Sequence, residues 1–574
     1  MNLKKLLLLS GILFVALALA GAVVFFIPRE EQAQSFLSEF DEENCTVIMV
    51  GKAASADGST MTTHTCDCGI CDWTWRHVPA ADYKPGSVRK IYHISQYKTW
   101  PLQEGLKWDL YLKDYTKVDI PQGPHTYAYH HGMFGYMNEN QVAISESTIG
   151  CQSKMRNPTP APAFDITMLT LVAMERAKTA REAIKVMGSL AEQYGYGFND
   201  DGEMLAVSDP NEVWVFEIMP VGPLWTPNSG KPGAVWCAQR VPDDEASVCP
   251  NESRIGEIDL NNLDYLMASS NAVSYAVESG YYDPASGKAF SWKKAYSSRE
   301  GSANSNPGRA RMWRFYDLVA PSKKFSADMQ NMDYPFSVKP DNKISVQDVM
   351  NFTRDKCQGT HLDPVRGIRG GPFSDPNYYR GTRCIGTNRA EYTSLVQCRG
   401  WLPNPIGGIV WVAFGAQDTS CYIPLYAGVT KIPDAFSIGD HWVLDRKSAR
   451  WASDYVDFHT QVVYSYAIED VKKAQAEWEG GAVARMADID KKAQELYQKD
   501  KAKAIKFLTD YCLSNADNVI RVWWNLGDQL LVKYNHFGFY DTEKRATQRR
   551  MPAYPDSWTK AVKMVDVLTE PPQK

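Results

Sequence analysis

Cys45 opens the apolar run CTVIMVG, directly behind the acidic stretch DEEN at residues 41–44. A thiol is the strongest uncharged nucleophile among the side chains, yet at neutral pH it needs a base. If the chain began at Cys45, its free α-amino group, with a reference pKa of about 7.7–8.0, would sit beside the thiol and serve as that base. Everything before Cys45 then reads as a disposable leader that hides the amine until the Asn44–Cys45 bond is cut. The thiol is equipped to make that cut itself by attacking the preceding carbonyl. A plainer role for the same residue is a small buried cysteine at a strand start. Further along, HTCDCGIC places His64, Cys66, Cys68 and Cys71 close together. Three thiolates and an imidazole suit zinc, while an oxidising compartment favours one or more disulfides over free thiols. Cys237 and Cys249 flank the loop AQRVPDDEASV and suggest a second bridge.

Strands must bring these groups together. The continuously apolar CTVIMVG has the pattern of a strand buried on both faces. Asp57-Gly58 signals a turn, and STMTTHT reads as the returning strand. A turn centred on that pair sets Cys45 opposite position 70, with Asp67 about three residues, roughly 10 Å, along the ladder. Residues 125–148 predict two strands around a turn at Met137, Asn138, Glu139 and Asn140, and residues 165–195 predict a helical segment closing at Gly195. Residues 203–219 and 234–242 are β-rich; EYTSLVQC and GGIVWVAFG then flank the loop RGWLPNPI. Sheet, helices and sheet again, without strict βα alternation, predict an α+β layered domain. Residues 282–309 are loop-like in their Ser, Asn and Gly content. From residue 444 the chain turns helical, with Met486, Ile489, Ala493, Leu496 and Tyr497 at helical spacing, and Gly480-Gly481 separating that helix from the one before.

The leader sets the compartment. Lys4 and Lys5 precede an uncharged run over residues 6–27, after which PREEQAQ turns polar. This is a targeting segment, either a cleaved signal peptide or a signal anchor. The reading divides the chain into a signal segment (1–27), a propeptide (28–44), a catalytic domain (45–443) and a helical C-terminal region (444–574). A net charge of -5 offers no basic field for nucleic acid. The 12 cysteines are too few in 574 residues for a disulfide scaffold.

The run CTVIMVGKAASADGSTMTTHTCD resembles the mature start of the dipeptidases among the N-terminal-nucleophile cysteine hydrolases, relatives of secernins and, more distantly, of bile-salt hydrolases and penicillin acylases. YMNENQVAISEST, YGYGFNDDGEMLAVSDPNEVWVFEI, GAVWCAQRVPDDE, NESRIGEIDLNNLDYLMASSN and EYTSLVQCRGWLPNPIGGIVWVAFGAQDTSCYIPLYAG extend the likeness to about residue 440. The resemblance implies a four-layer αββα sandwich and amide hydrolysis through an acyl-thioester on Cys45, without cofactor or metal. It implies that Asp67 helps hold the amino group and that Asn251 in PNESRI donates to the oxyanion. Arg254 is implied as a partner for a substrate carboxylate, and Glu146 and Ser147 as pocket residues. Many relatives carry arginine where this chain has His64, which leaves a hydrogen-bonding role at that position.

The function expected is an exported cysteine dipeptidase acting on dipeptides or short peptides. Its leader would give transient membrane association, and a homo-oligomer is compatible with the chain. Two other readings use the same scaffold: an amidase for a non-peptide acyl amide, and a non-catalytic surface binding protein. The last predicts a leader that stays attached.

Overall fold

The computed structural model describes residues 44–69, 71–92, 116–157, 161–197, 201–297, 306–379, 381–542, 544–545 and 550–568. The expected signal segment, and the expected propeptide up to residue 43, lie outside the described residues. The described residues from Asn44 onward belong to one compact unit. Among the described residues no helix is long and apolar enough to cross a membrane.

Two antiparallel sheets carry the architecture. The first contains β1 (Asn44–Val50) and β2 (Thr60–Asp67). The second begins with β3 (Arg76–Val78), β4 (Tyr129–His131), β5 (Gly135–Asn138) and β6 (Ala143–Ile149), and continues with β7 (Gly202–Ser208), β8 (Val213–Met219) and β9 (Val235–Val241). β10 (Ala246–Cys249) returns to the first sheet, β11 (Leu266–Ala268) to the second, and β12 (Tyr392–Cys398), β13 (Gly408–Phe414) and β14 (Ile423–Tyr426) complete the first. Strand order is β10-β1-β2-β12-β13-β14 in the six-stranded sheet and β11-β9-β8-β7-β6-β5-β4-β3 in the eight-stranded one. The helices that matter here are α1 (Ile166–Arg176), α2 (Ala180–Tyr194), α3 (Asn306–Val319), α4 (Ala449–Gln461), α5 (Tyr464–Lys499) and α6 (Lys501–Lys533).

Strand alternation explains the packing. Val47 and Met49 of β1 share a core with Met204, Ala206 and Val215 of the second sheet. Ile48 and Val50, one residue out of phase, share a different core with Met312 and Phe315 of α3 and with Val456, Leu508 and Trp523 of the C-terminal helices. A third core joins Leu205, Val207 and Phe216 to Leu169 and Val172 of α1 and Ile184 and Met187 of α2. Continuously apolar strands follow because each face meets a different apolar layer. The mixed α and β composition, the antiparallel sheets and the helical C-terminal region match the sequence reading at that level.

Several local expectations need correction. The β1–β2 hairpin has no two-residue turn: Val50 pairs with Met61 and Cys45 with Cys66, a register four residues away from the expected one. Residues 51–59 form a longer loop tied to distant backbone, with Ala53 and Ala54 donating to the Asp243 carbonyl at 2.7 and 2.9 Å. Asp57 serves that loop by accepting from Ser55 Oγ and the Ser59 amide at 2.7 and 3.0 Å. The single helical segment expected over residues 165–195 breaks into α1 and α2, because Thr179 caps α2 through the Glu182 amide. Gly480 and Gly481 lie inside the 36-residue α5. A glycine costs a helix about 1 kcal/mol, and the neighbouring Glu479 offsets that by accepting from both Arg354 Nη atoms at 2.8 and 2.6 Å and from the Tyr422 amide at 3.0 Å. The loop expected to run to residue 309 gives way to α3 at Asn306. Cys237 and Cys249 are both free and buried on strands of different sheets, so the second bridge does not form.

Candidate active site

Cys45 lies one residue into β1, and the ladder puts Cys66 directly across from it with Asp67 next along β2. Cys45 is buried, with 9% of the residue exposed. Its Sγ lies 3.8 Å from Glu146 Oε2. Burial, and after it the Glu146 carboxylate, push the thiol pKa well above its ordinary value. The Cys45 amide N–H donates to Asn251 Oδ1 at 3.0 Å.

Asn251 follows β10 in a left-handed backbone conformation (φ 64°), which asparagine tolerates. Its Oδ1 also accepts from Arg311 Nη1 and Nη2, both at 3.1 Å. Three donors around one atom fix that atom as the oxygen. The Asn251 Nδ2 donates to the Thr148 carbonyl at 2.9 Å, and its amide donates to Ser147 Oγ at 3.1 Å. Asn251 therefore grips the Cys45 nitrogen with its oxygen and β6 with its nitrogens. Ser147 is buried and supports Asn251 from β6.

Glu146 is held by Thr148, whose Oγ1 donates to Oε1 at 2.9 Å. The β5–β6 ladder covers Ala143–Ser145, so Glu146 starts beyond its end. The His64 Nδ1 lies 2.8 Å from the Glu146 carbonyl oxygen. A carbonyl only accepts, so Nδ1 carries the proton and Nε2 is left with a lone pair. Burial holds the imidazole pKa below its ordinary value. Asp67 accepts from Thr65 Oγ1 at 2.9 Å and from Arg383 Nη2 in an ion pair.

Arg254 lies apart from these groups. Its buried guanidinium donates to Met312 Sδ and Tyr316 Oη, both at 2.9 Å, and to the Pro335 carbonyl. Among the described residues no hydrogen bond joins it to Cys45, Asn251 or Asp67. The arginine that meets Cys45 is Arg311 on α3, which also donates to the Cys45 carbonyl at 2.6 Å, to Thr46 Oγ1 at 2.9 Å and to the Pro250 carbonyl at 3.0 Å. Burial, and then the Arg383 charge, lower its pKa to about 9. Arg311 and Arg383 escape the sequence reading, because neither belongs to a local pattern containing Cys45.

In HTCDCGIC, Cys68 and Cys71 form a disulfide and Cys66 is free. Two of the four zinc ligands weighed for that segment are thus bonded to each other, and His64 is turned to Glu146.

The profile of Peptidase family C69 matches residues 44–477, so it begins at the start of β1. Probable dipeptidase A of Streptococcus pyogenes serotype M1 is 26% identical over 511 residues, spanning 84% of this chain and 98% of that protein. A probable dipeptidase of Salmonella dublin is 28% identical over 392 residues, or 67% of this chain and 81% of its own. Dipeptidase A of Lactobacillus helveticus is 27% identical over 410 residues, covering 69% and 77% respectively. With residues 44–477 of 574 matched, the chain belongs to peptidase family C69, a family of cysteine peptidases in the Ntn-like clan.

Proposed function

We propose that the protein is a cysteine-type dipeptidase that acts through Cys45 as an N-terminal nucleophile, on the four-layer αββα arrangement that its three apolar cores suggest. One observation carries the reading: the nitrogen and the sulfur of Cys45 are both held by side chains, the first by Asn251 and the second by Glu146. A merely structural cysteine has no use for a carboxylate beside its sulfur. The family match and the dipeptidase names of three relatives supply the reaction class.

Maturation comes first. Glu146 takes the Cys45 proton, the thiolate attacks the Asn44 carbonyl, and the acyl group passes from nitrogen to sulfur before water releases it. The nitrogen takes that proton back from Glu146 as the C–N bond breaks and leaves as an amine, still facing Asn251 Oδ1. In the mature enzyme that amine accepts the thiol proton as the sulfur attacks the substrate carbonyl. It then returns the proton to the leaving amine, and water hydrolyses the acyl-thioester. Arg311 and Asn251 are positioning residues for the cysteine backbone; Asn251 is not given the oxyanion role that the resemblance implied, because its Oδ1 faces the Cys45 nitrogen and its Nδ2 donates to the Thr148 carbonyl. Asp67 with Arg383 fixes the adjoining strand end. His64, Glu146 and Ser147 form the substrate wall, with Glu146 facing the free ammonium of a dipeptide. Arg254 is left out of this assignment because its guanidinium is occupied within the core. The leader directs export as a signal peptide or signal anchor, and scission at Asn44–Cys45 releases a soluble enzyme for short peptides outside the cytoplasm. Homo-oligomer formation fits this reading without being required by it.

The test is the intact mass and first residue of the purified protein, wild type beside Cys45→Ala, with dipeptide hydrolysis measured on both. We expect a wild-type chain starting at Cys45, a variant that keeps residue 44 and what precedes it, and a loss of activity on the order of 10³-fold or more. A folded, active wild type that retains its leader would overturn the mechanism.

A further inference from the structure

The catalytic reading uses the Cys45 thiol and the Glu146 carboxylate but leaves one atom unexplained. His64 Nε2 is buried and has no hydrogen-bond partner, and a buried polar atom without a partner costs about 1–3 kcal/mol. Its tautomer is fixed, because Nδ1–H donates to the Glu146 carbonyl. That is the outer contact that metal-binding histidines make: one ring nitrogen donates to a carbonyl and the other offers its lone pair.

Around this imidazole stand two more donors of different chemistry. Cys45 Sγ, a carboxylate oxygen of Glu146 and a ring nitrogen of His64 lie within 4.8 Å of one another, and all three residues are buried. They come from β1, β6 and β2, three strands whose positions the two sheets hold. Zinc bonds of about 2.0–2.3 Å in a tetrahedral site place donor atoms roughly 3.5 Å apart. The Sγ–Oε2 separation of 3.8 Å is near that spacing, and the three donors, within 4.8 Å of one another, close further as they turn onto an ion.

We propose that Cys45, His64 and Glu146 form a binding site for Zn²⁺ or a chemically similar divalent cation, and that the bound ion silences the nucleophile reversibly. Binding releases the Cys45 thiol proton to solvent as the metal–sulfur bond forms. One thiolate and one carboxylate then balance the two positive charges of the ion. The mixed sulfur, nitrogen and oxygen donors select zinc-like ions over calcium or magnesium, which take oxygen ligands. A sulfur engaged with the metal cannot attack a carbonyl. In a chain that begins at Cys45, the α-amino nitrogen adds a fourth donor on the same residue, closing a five-membered ring through Cα and Cβ. The site stands on geometry alone; the silencing rests on the reading of Cys45 as nucleophile.

The experiment is a Co²⁺ titration of the full-length gene product after stripping with a chelator. We expect one Co²⁺ per chain, a thiolate-to-cobalt charge-transfer band, and its loss when Zn²⁺ is added. The band disappears in Cys45→Ser, and Co²⁺ binding weakens by at least about tenfold in His64→Phe and in Glu146→Gln. Cys66→Ser keeps the band, which separates this site from the neighbouring Cys66, Cys68 and Cys71. A band that survives in Cys45→Ser, one lost in Cys66→Ser, or none in wild type would each overturn the proposal. Thermal melting of every variant confirms that the comparison is between folded proteins, and the His64 and Glu146 variants decide the matter should Cys45→Ser not fold. Dipeptide hydrolysis by the mature wild type falls as Zn²⁺ is added and returns with chelator. Metal binding without inhibition would keep the site and discard Cys45 as nucleophile.

Discussion

Glu146 on β6 and Glu217 on β8 are buried glutamates of the same sheet with opposite surroundings. Four donors close on Glu217: the Arg254 and Ile255 amides at 2.5 and 3.2 Å, Ser253 Oγ at 2.6 Å and Trp292 Nε1 at 2.8 Å. Burial raises its pKa, and each of those donors pulls it back. Glu146 receives Thr148 Oγ1 on one oxygen and faces the Cys45 sulfur with the other. The saturated carboxylate can only hold structure, and what it holds is the segment that follows Asn251. The under-satisfied one retains capacity for a proton, a substrate ammonium or a metal ion. Polar saturation thus separates scaffold from chemistry where burial does not.

Exchanging each glutamate for glutamine puts this contrast to the test. Glu146→Gln removes the base while keeping the shape, and we expect leader cleavage to slow by on the order of 10²-fold or more, with stability changed by less than about 1 kcal/mol. Mass spectrometry of the purified chain reads the first and chemical denaturation the second. Glu217→Gln turns an amide N–H₂ toward two existing donors, so it should destabilise the fold by about 1–3 kcal/mol while the folded fraction still processes its leader. If both variants lost stability and processing alike, the distinction would fail.

A smaller effect sharpens the electrostatic side. Burial is the first cause of the raised Cys45 pKa and the Glu146 charge the second. Glu146→Gln removes the second cause, so the thiol pKa falls and more thiolate is present at a given pH. Each unit of that fall raises the thiolate about tenfold. Alkylation of Cys45 by iodoacetamide, compared in chains that both still carry residue 44, should therefore be faster in Glu146→Gln than in wild type at neutral pH, with a lower pH midpoint. An unchanged rate would mean that Glu146 does not act on the thiol.

What the sequence made legible tracks the distance along the chain over which each contact is made. Cys45, His64 and Asp67 belong to one hairpin, and their company is readable from two short strands. The register is not, because residues 51–59 are pinned to residue 243 in a remote loop. Asn251 was reachable only through family likeness, being 206 residues from Cys45. Arg311 and Arg383 make contacts spanning 266 and 316 residues, and no local period announces them. Arg254 shows the hazard of reasoning from neighbours. It stands three residues from Asn251, yet its guanidinium packs on Met312 while Arg311, one position earlier on α3, turns to Asn251. Gly480-Gly481 misled in the opposite sense, since a buried ion pair at Glu479 outweighs two weak helix formers.

His64 supplies the smallest effect and the most discriminating one for the unpartnered nitrogen. Its pKa is lowered in the fold, chiefly by burial, from an ordinary value of 6.5. A depressed folded-state pKa means that the unfolded chain binds the proton first as pH falls. The associated stability is present above about 6.5 and is lost as pH drops from there toward the folded value, at up to about 1.4 kcal/mol per pH unit. Replacing His64 by phenylalanine removes that titration, although other buried histidines such as His130 and His131 keep theirs. The quantity to measure is therefore the difference in unfolding free energy between wild type and His64→Phe at pH 7 and at pH 5.5. Wild type should lose more stability than the variant over that interval. Equal losses would mean that His64 is protonated as readily inside the fold as outside it, and that burial does not hold its pKa down.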